Sequence, residues 1–598
     1  MVPDTDTASE KAIEELRYEV GTSNNRHAGA LDQGQTLVAD IKANVDIGNN
    51  KYVTAVGQSN LDPWSKETLQ LYACCFVAFL CVWAGGYDGS LMTTINAMPY
   101  YQARFGVGTL GSTTGMIFAI YTVGGAVGSW FSGPATDMAG RRGGMFIGAV
   151  IICVGTAVMA SANGTSQFMV GRFVLGFGFS ILGTASGPYC IEISPPQWRG
   201  RIAGFYGCGW FGGAILAAAI TLKTSEIDSD ISWRLPVILQ AVVPFIVLCV
   251  VYFMPESPRW LIANSRDEEA RTFLVRYHGG GDPASPLVLL EWNEFKEDIA
   301  IDGTDKRWWD YSGLISTRSA RWRSFMVLLM AIFGQFTATG LGYYNTEIFK
   351  AVGYDDYMQF VLNLVATLVW AFAAICGTAV SDHIPRRKIL VTSTFLCAVT
   401  LAIYGGLSAR WGKAPEGEKN LHVGRGAIAA YFWFGIVNSF AYCPLLAVYP
   451  LECLQTNNRA KGMSMYVFVV NCTTFIVVYT TPIGLQNLGY KMIFIFVGWD
   501  LIETVLWYFF CVETVGYTLE ELEEVFSSRN PVALSKSKGK TPINRGEGAT
   551  NQIGIKKTPK LSQTASLRFA SFCLYVVGRI SLRSPSARLI RMVYQLNH

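Results

Sequence analysis

Charge is what this 598-residue chain has least of. Asp, Glu, Lys and Arg make up 15% of it and hydrophobic residues 51%, whereas a soluble domain averages ~25% charged residues. Stretches 69–87 and 237–254 carry no charge at all. Soluble domains of ~150 residues each are excluded, because too much apolar surface would face water. Disorder of the whole chain is excluded for the same reason. Histidine is also scarce. The five are His27, His278, His383, His422 and His598, and none lies in an apolar run. No metal or haem pair is expected in the membrane, no nucleophile motif stands out, and the reading is not an enzyme. The 14 Cys show no regular short spacing and no CxxC pair. Most fall inside apolar runs, as small buried hydrophobes rather than a disulfide frame or a zinc site. Residues 1–60 are polar, begin acidic and lack the apolar core of a signal peptide. The first apolar segment is therefore expected to act as the membrane signal and to remain in the protein. A net charge of +4 is too small to suggest a nucleic-acid partner.

Long apolar runs are abundant. A bilayer core of ~30 Å needs about 20 apolar residues in a helix. Twelve such runs lie near 69–93, 113–135, 144–162, 167–191, 202–222, 233–254, 325–347, 358–380, 389–408, 427–451, 463–483 and 490–511. The expected fold is an all-α membrane protein with twelve transmembrane helices in two six-helix repeats and a cytoplasmic helical linker. The expected divisions are a polar cytoplasmic N-terminal tail (1–66), a six-helix bundle (67–254), a linker with short helices (255–324), a second bundle (325–512) and a basic cytoplasmic C-terminal tail (513–598). Basic pairs cluster after the second, fourth, eighth and tenth spans, at Arg141-Arg142, Arg199 and Arg201, Arg386-Arg387 and Arg459 with Lys461. The positive-inside rule puts those loops and both termini in the cytoplasm. A multi-pass protein of the plasma membrane, acting as a monomer in the lipid bilayer, is expected.

The halves echo each other. Asp137 precedes Arg141 and Arg142 by four and five residues, as Asp382 precedes Arg386 and Arg387. Glu192 precedes Arg199 by seven, as Glu452 precedes Arg459. Glu256 follows the sixth span and Glu513 the twelfth. The recurrence of acids as well as bases goes beyond positive-inside charge, to which Asp and Glu add little. It suggests a duplicated six-helix unit with a gate of helix-end salt bridges on one side. Transporters built from repeats hold their substrate between the halves.

Gly133-Pro-Ala-Thr-Asp137-Met-Ala-Gly140-Arg141-Arg142 resembles the loop signature of the major facilitator superfamily. Its sugar-porter branch is resembled by Gly86-Tyr-Asp88-Gly89, Gly171-Arg172, Glu192 to Gly200, Pro255-Glu256-Ser-Pro-Arg259-Trp-Leu261 and Glu513 to Glu521. Pro444 to Glu452, with Arg459-Ala-Lys-Gly462, looks like the fungal lactose-permease-like and hexose-transporter subgroup. The resemblance covers roughly 65–526 and implies the major facilitator fold and sugar transport, with no cofactor beyond a proton gradient.

Two ionisable residues, Asp88 and Arg172, fall within first-half spans at similar depth from the outer face. Such residues usually pair and mark ion pathways. Protonation of Asp88 would break the pair. The resemblance implies the same, since proton-coupled porters carry an acid and an Arg at these positions. A sugar needs hydrogen-bonding groups and ring faces in an apolar cavity. The candidates are Gln335, Thr337, Thr339, Tyr343, Tyr344 and Asn345 in the seventh span, with Trp210, Asn363 and Asn471. Where hexose porters have a Gln in the fifth helix and a Trp in the tenth, this chain has Ala214 and Ala447. The expected substrate is therefore a disaccharide such as lactose, or a hexose, then a polyol or cyclic acid. The expected function is proton-coupled symport by alternating access. The alternatives are an uncoupled facilitator and a transporter-like nutrient sensor.

Overall fold

Apolar helices capped by polar turns make up the chain. The computed structural model describes residues 61–302, 311–337, 339–381, 384–415, 420–455, 459–515, 517 and 519–537. The polar N-terminal tail to residue 60, Asp382, and the basic tail from 538 lie outside the described residues. Within them there is no strand. Eleven helices are long and apolar enough to cross a membrane. One of them, Ser112–Ala160, runs 49 residues and merges two spans across Gly140, at φ 80° and ψ 174°, so the spans number twelve.

The reason for that merger is local. A residue with a side chain is strained at such a φ, and a Cβ on Gly140 would lie 2.5 Å from a Glu256 carboxylate oxygen. Glycine thus lets the chain turn while Glu256 reaches the next two amides. The second half has Pro385 at the matching place, with φ −54°. Proline breaks the run there, and the ninth span starts afresh at Arg386.

The first span, Lys66–Ile95, opens at Ser65, whose hydroxyl accepts the Thr68 amide at 3.2 Å. The fourth span is Thr165–Glu192 and the fifth Pro196–Thr224. The sixth, Ile231–Phe253, is pieced from short helical segments. Three helices follow in the linker: Pro258–Ala263, Asp267–Tyr277 and Pro286–Asp302. The seventh span is broken. Arg318–Phe336 ends at Thr337, a 3-10 turn covers Thr339–Tyr344, and Asn345–Ala351 resumes the helix. The eighth to twelfth are Asp356–Ser381, Arg386–Lys413, Leu421–Cys453, Arg459–Leu488 and Lys491–Phe510.

Lipid tails are as apolar as leucine, so membrane helices associate through close packing of small residues. Gly148 and Gly155 of the third span meet the backbone of the fourth, where Gly171 and Gly178 face them in turn. Between the halves, Trp130 of the second span packs edge-on to Phe468 of the eleventh, ring centres 6.1 Å apart. Cys208 of the fifth lies 3.1 Å from the Thr378 hydroxyl of the eighth. The Thr346 hydroxyl donates to the Thr93 carbonyl at 3.2 Å, tying the seventh span to the first.

Candidate functional site

An ion pair lies in the interior of the first half. Arg172 Nη1 stands 3.1 Å from Asp88 Oδ1, both side chains only 3% exposed. Gln240 of the sixth span donates to the same Asp88 oxygen at 3.0 Å. Arg172 spends its other donors on the second span. Nε reaches the Ile117 carbonyl at 2.7 Å and Nη2 the Phe118 carbonyl at 3.3 Å. A helical carbonyl has a second lone pair for such a bond. The guanidinium also sits 5.4 Å from the centre of the Tyr121 ring, an attractive cation–π geometry. Four partners thus hold the arginine, while Asp88 depends on two donors that share one of its oxygens.

The pair forms part of the wall of a cavity of about 170 Å³ between the halves. Trp210, Phe118, Tyr121 and Phe179 contribute ring faces, Tyr343 reaches in from the seventh-span turn, and Thr122 adds a hydroxyl. The volume matches about six waters at ~30 Å³ each. An aromatic box with one ion pair in it suits a small ring compound with apolar faces and polar edges.

Other expected binding residues are engaged elsewhere. Tyr344 is buried and its hydroxyl donates to the Val478 carbonyl at 3.2 Å. Asn345 receives a hydrogen bond from Tyr431 at 2.5 Å and donates to Asn363 at 3.0 Å, a buried knot inside the second half. Asn471 donates to the Val467 carbonyl at 3.0 Å, one turn back. Its amide oxygen faces Gly125 across the interface, 2.9 Å from where a Cβ would stand. Gln335 is half-buried near the end of the first segment of the seventh span. The side chains of Thr339 and Ala447 lie outside the described residues. Ala214 is 1% exposed and does not line the cavity.

The two charge clusters are built alike. Arg141 reaches Glu192 at 3.3 Å and Asp137 at 3.3 Å. Glu256 accepts the backbone amides of Arg141 and Arg142 at 3.2 and 3.3 Å and pairs with the Arg142 side chain at 3.5 Å. In the second half Arg386 reaches Glu452 at 3.0 Å, and Glu513 accepts the amides of Arg386 and Arg387 at 2.9 and 3.2 Å. Ser257 donates to Glu192 as Thr514 donates to Glu452. Tyr189 donates to the Pro255 carbonyl as Tyr449 does to that of Val512. The described ion pairs of each cluster stay inside their own half. The expected bridge between the halves is not among them: Glu192, Glu256, Glu452 and Glu513 meet partners of their own half, and Asp137 is largely exposed. Arg199 pairs with Glu291 of the linker at 3.2 Å, and Glu291 also meets buried His278 at 2.5 Å. The Arg259 guanidinium lies 4.7 Å from the Phe295 ring centre. Arg459 is half-buried at the start of its helix.

Glu256 carries a pH prediction. Burial pushes its carboxyl above the ordinary 4.5, against the pull of the Ser257 amide and Arg142. The folded state then holds the proton more tightly than the unfolded one. Stability from this group is full below the ordinary value and is lost as pH rises through the raised one. Glu256→Gln lacks that step. Its melting temperature relative to the parent chain should climb as pH rises through this window in detergent melts. A difference flat with pH would disprove it.

Sequence reasoning missed four residues here. Gln240 and Tyr121 carry no visible mark, since only the fold brings them to Asp88 and Arg172. Asp500 and Glu503 were legible as acids within the twelfth apolar run.

This geometry, with twelve spans in two similar halves and a cavity between them, defines a multi-pass membrane transporter. Residues 74–526 match the family model described as sugar (and other) transporter, and the chain belongs to that family, within the major facilitator superfamily. It is 28% identical to the MFS-type transporter criB of Aspergillus cristatus, covering 77% of this chain and 95% of that one. It is 27% identical to the MFS glucose transporter mfs1 of Aspergillus flavus, over 83% and 96%. A quinate permease of Neurospora terricola is 25% identical, over 79% and 91%. Among solved structures, the proton:xylose symporter XylE bound to 6-bromo-6-deoxy-D-glucose shares the fold, with TM-score 0.63 and 19% identity, covering 77% of this chain and all of that one.

Proposed function

We propose that this protein is a proton-coupled symporter for a polyhydroxylated ring compound, a monosaccharide or a related cyclic polyol acid, working by alternating access. The observation that carries the reading is the Asp88–Arg172 pair in the wall of the inter-half cavity. A proton on Asp88 neutralises the carboxylate and releases Arg172 at the place where substrate would sit. Proton and substrate occupancy would then be read by the same side chains. The charge clusters would brace the helix ends of each half, so that the halves rock as units about the cavity. The clusters and both termini are assigned to the cytoplasm, with the protein acting as a monomer in the plasma membrane.

The cavity volume favours one ring over two, since a disaccharide roughly doubles the volume to be housed. Two of the named relatives are a glucose transporter and a quinate permease, which is consistent with that size. Proteoliposome uptake of a sugar and cyclic-acid panel, with and without an inward proton gradient, tests the reading. Accumulation should require the gradient and should favour single-ring compounds. Gradient-independent equilibration would instead mean a facilitator. Preference for lactose would overturn the single-ring limit. No uptake of any panel member, with substrate-induced conformational change retained, would favour a sensor.

Trp210 offers the largest ring face in the cavity. Trp210→Ala should raise KM roughly tenfold, about 1.4 kcal/mol, with a smaller effect on kcat. An unchanged KM in initial-rate uptake would remove Trp210 from the binding surface.

A further inference from the structure

The second half contains a buried acidic pair that the coupling scheme above does not use. Asp500 and Glu503 lie on the twelfth span, Lys491–Phe510, and both are 0% exposed. Three residues apart, they share one face of the helix. Asp500 stands nine residues into the span, ~14 Å along at ~1.5 Å per residue, near the middle of a ~30 Å apolar core.

Their partners differ. Glu503 lies 2.9 Å from the Thr337 hydroxyl and accepts from the Trp499 indole nitrogen. The same hydroxyl lies 2.6 Å from the Phe333 carbonyl, so its one proton is contested between the two acceptors. Neither carboxylate oxygen of Asp500 has a hydrogen-bond partner among the described residues. The groups facing the pair are uncharged: Thr337 of the seventh span, Cys397 of the ninth, Tyr442 of the tenth and Trp499 of the twelfth itself. Tyr442 is held in turn by Thr394 at 2.7 Å and Trp507 at 3.3 Å. No described Lys, Arg or His forms an ion pair with either acid. Two unpaired carboxylates in hydrocarbon repel each other and lack solvation, and acids so placed mark ion or proton sites.

The position of Thr337 ties the pair to the moving parts. Thr337 closes the first segment of the seventh span, just before the 3-10 turn Thr339–Tyr344 that brings Tyr343 to the cavity. A carboxylate on Glu503 competes with the Phe333 carbonyl for the one Thr337 proton. A protonated Glu503 can donate to the Thr337 oxygen, which leaves that proton to Phe333, and the hold on the bend changes.

We propose that Asp500 and Glu503 form a second proton-binding site, within the half that lacks the Asp88–Arg172 pair, and that its occupancy sets the bend of the seventh span. No substrate is needed to test this, so its failure is distinct from failure of the symport reading. The probe is the proton alone, titrated onto the full chain in lipid. Infrared spectroscopy should show a protonated-carboxyl band at neutral pH that is lost in part in Asp500→Asn and in part in Glu503→Gln. Both variants keep the shape of the side chain, and the amide oxygen that Glu503→Gln introduces still accepts from Thr337. Thr337→Val should shift the part of the band that Glu503→Gln removes.

Amide hydrogen exchange of the peptide spanning 337–344 reads the bend. Its protection, compared at matched pH, should change across the titration of that band in the parent chain and stay constant in Glu503→Gln. A band insensitive to both variants overturns the site. Protection that follows pH equally in Glu503→Gln and the parent overturns its link to the bend. Should Glu503→Gln fail to fold, Thr337→Val, which removes the hydroxyl, takes its place in the exchange measurement, and Asp500→Asn with the parent titration decides the site.

Discussion

Replacing Asp88 with Asn should abolish uphill accumulation of substrate while leaving binding and exchange in place. Among the described residues its carboxylate is the only acid paired with Arg172, and it lines the inter-half cavity. Asparagine keeps its size and one oxygen for Gln240, but it can neither bind nor release a proton. Breaking a buried ion pair by removing one partner costs ~3–5 kcal/mol. Here the cost should fall below that range, because Arg172 keeps the Ile117 and Phe118 carbonyls and the Tyr121 ring. The protein should therefore fold and expose its site. Proteoliposomes loaded with cold substrate should still exchange label, while a proton gradient drives no net uptake. An Asn variant that concentrates substrate would falsify the proton role of Asp88.

The second large effect is structural. A Cβ on Gly86 would sit 1.8 Å from the Trp210 carbonyl oxygen. The obstacle is backbone of the fifth span, which no rotamer change can move. Gly213 of the fifth span faces the first just as closely, 1.9 Å from the Trp83 carbonyl oxygen. Overpacking costs ~1–3 kcal/mol and occasionally more, and a backbone clash belongs at or above the top of that range. Gly86→Ala should lower the melting temperature of the detergent-solubilised protein sharply and cut the yield of monodisperse material. It should do so far more than Gly183→Ala, where a Cβ meets nothing within 4 Å. Equal melting temperatures for the two variants would mean that the first and fifth spans are not in close contact.

The contact of the first and fifth spans also shows why the spans were legible and their packing was not. Twelve apolar runs announce themselves because each must satisfy its backbone internally while facing lipid, whatever its neighbours. The two-half organisation was equally legible, since Glu192 with Arg199 and Glu452 with Arg459 repeat in sequence. Even the chemistry of the pair was partly open to reading: an acid and an arginine inside the first half's apolar runs need each other. Which further groups join them was not. Gln240 lies 152 positions from Asp88, and nothing local to it indicates that it donates there.

Residue type and spacing therefore determined the membrane class, the number of spans, the duplicated charge clusters and the presence of buried charge. Tertiary structure alone decided how those side chains are used. Arg199, spaced to match Glu192, turns to Glu291 of the linker because the linker helices pack against the end of the fourth span. Asn345 and Asn363, polar enough to meet a sugar, bond to each other inside the second half instead, and the buried Asn363 amide nitrogen is left without a partner among the described residues. Thr337, a sugar-contact candidate by sequence, instead meets a buried acid at a break in its own helix. The physical reason is the same in each case. A span's existence depends on its own hydrophobicity, which is a local sum. A polar group's partner in a bilayer depends on which helix face lies within about 3 Å, and only the packed bundle sets that.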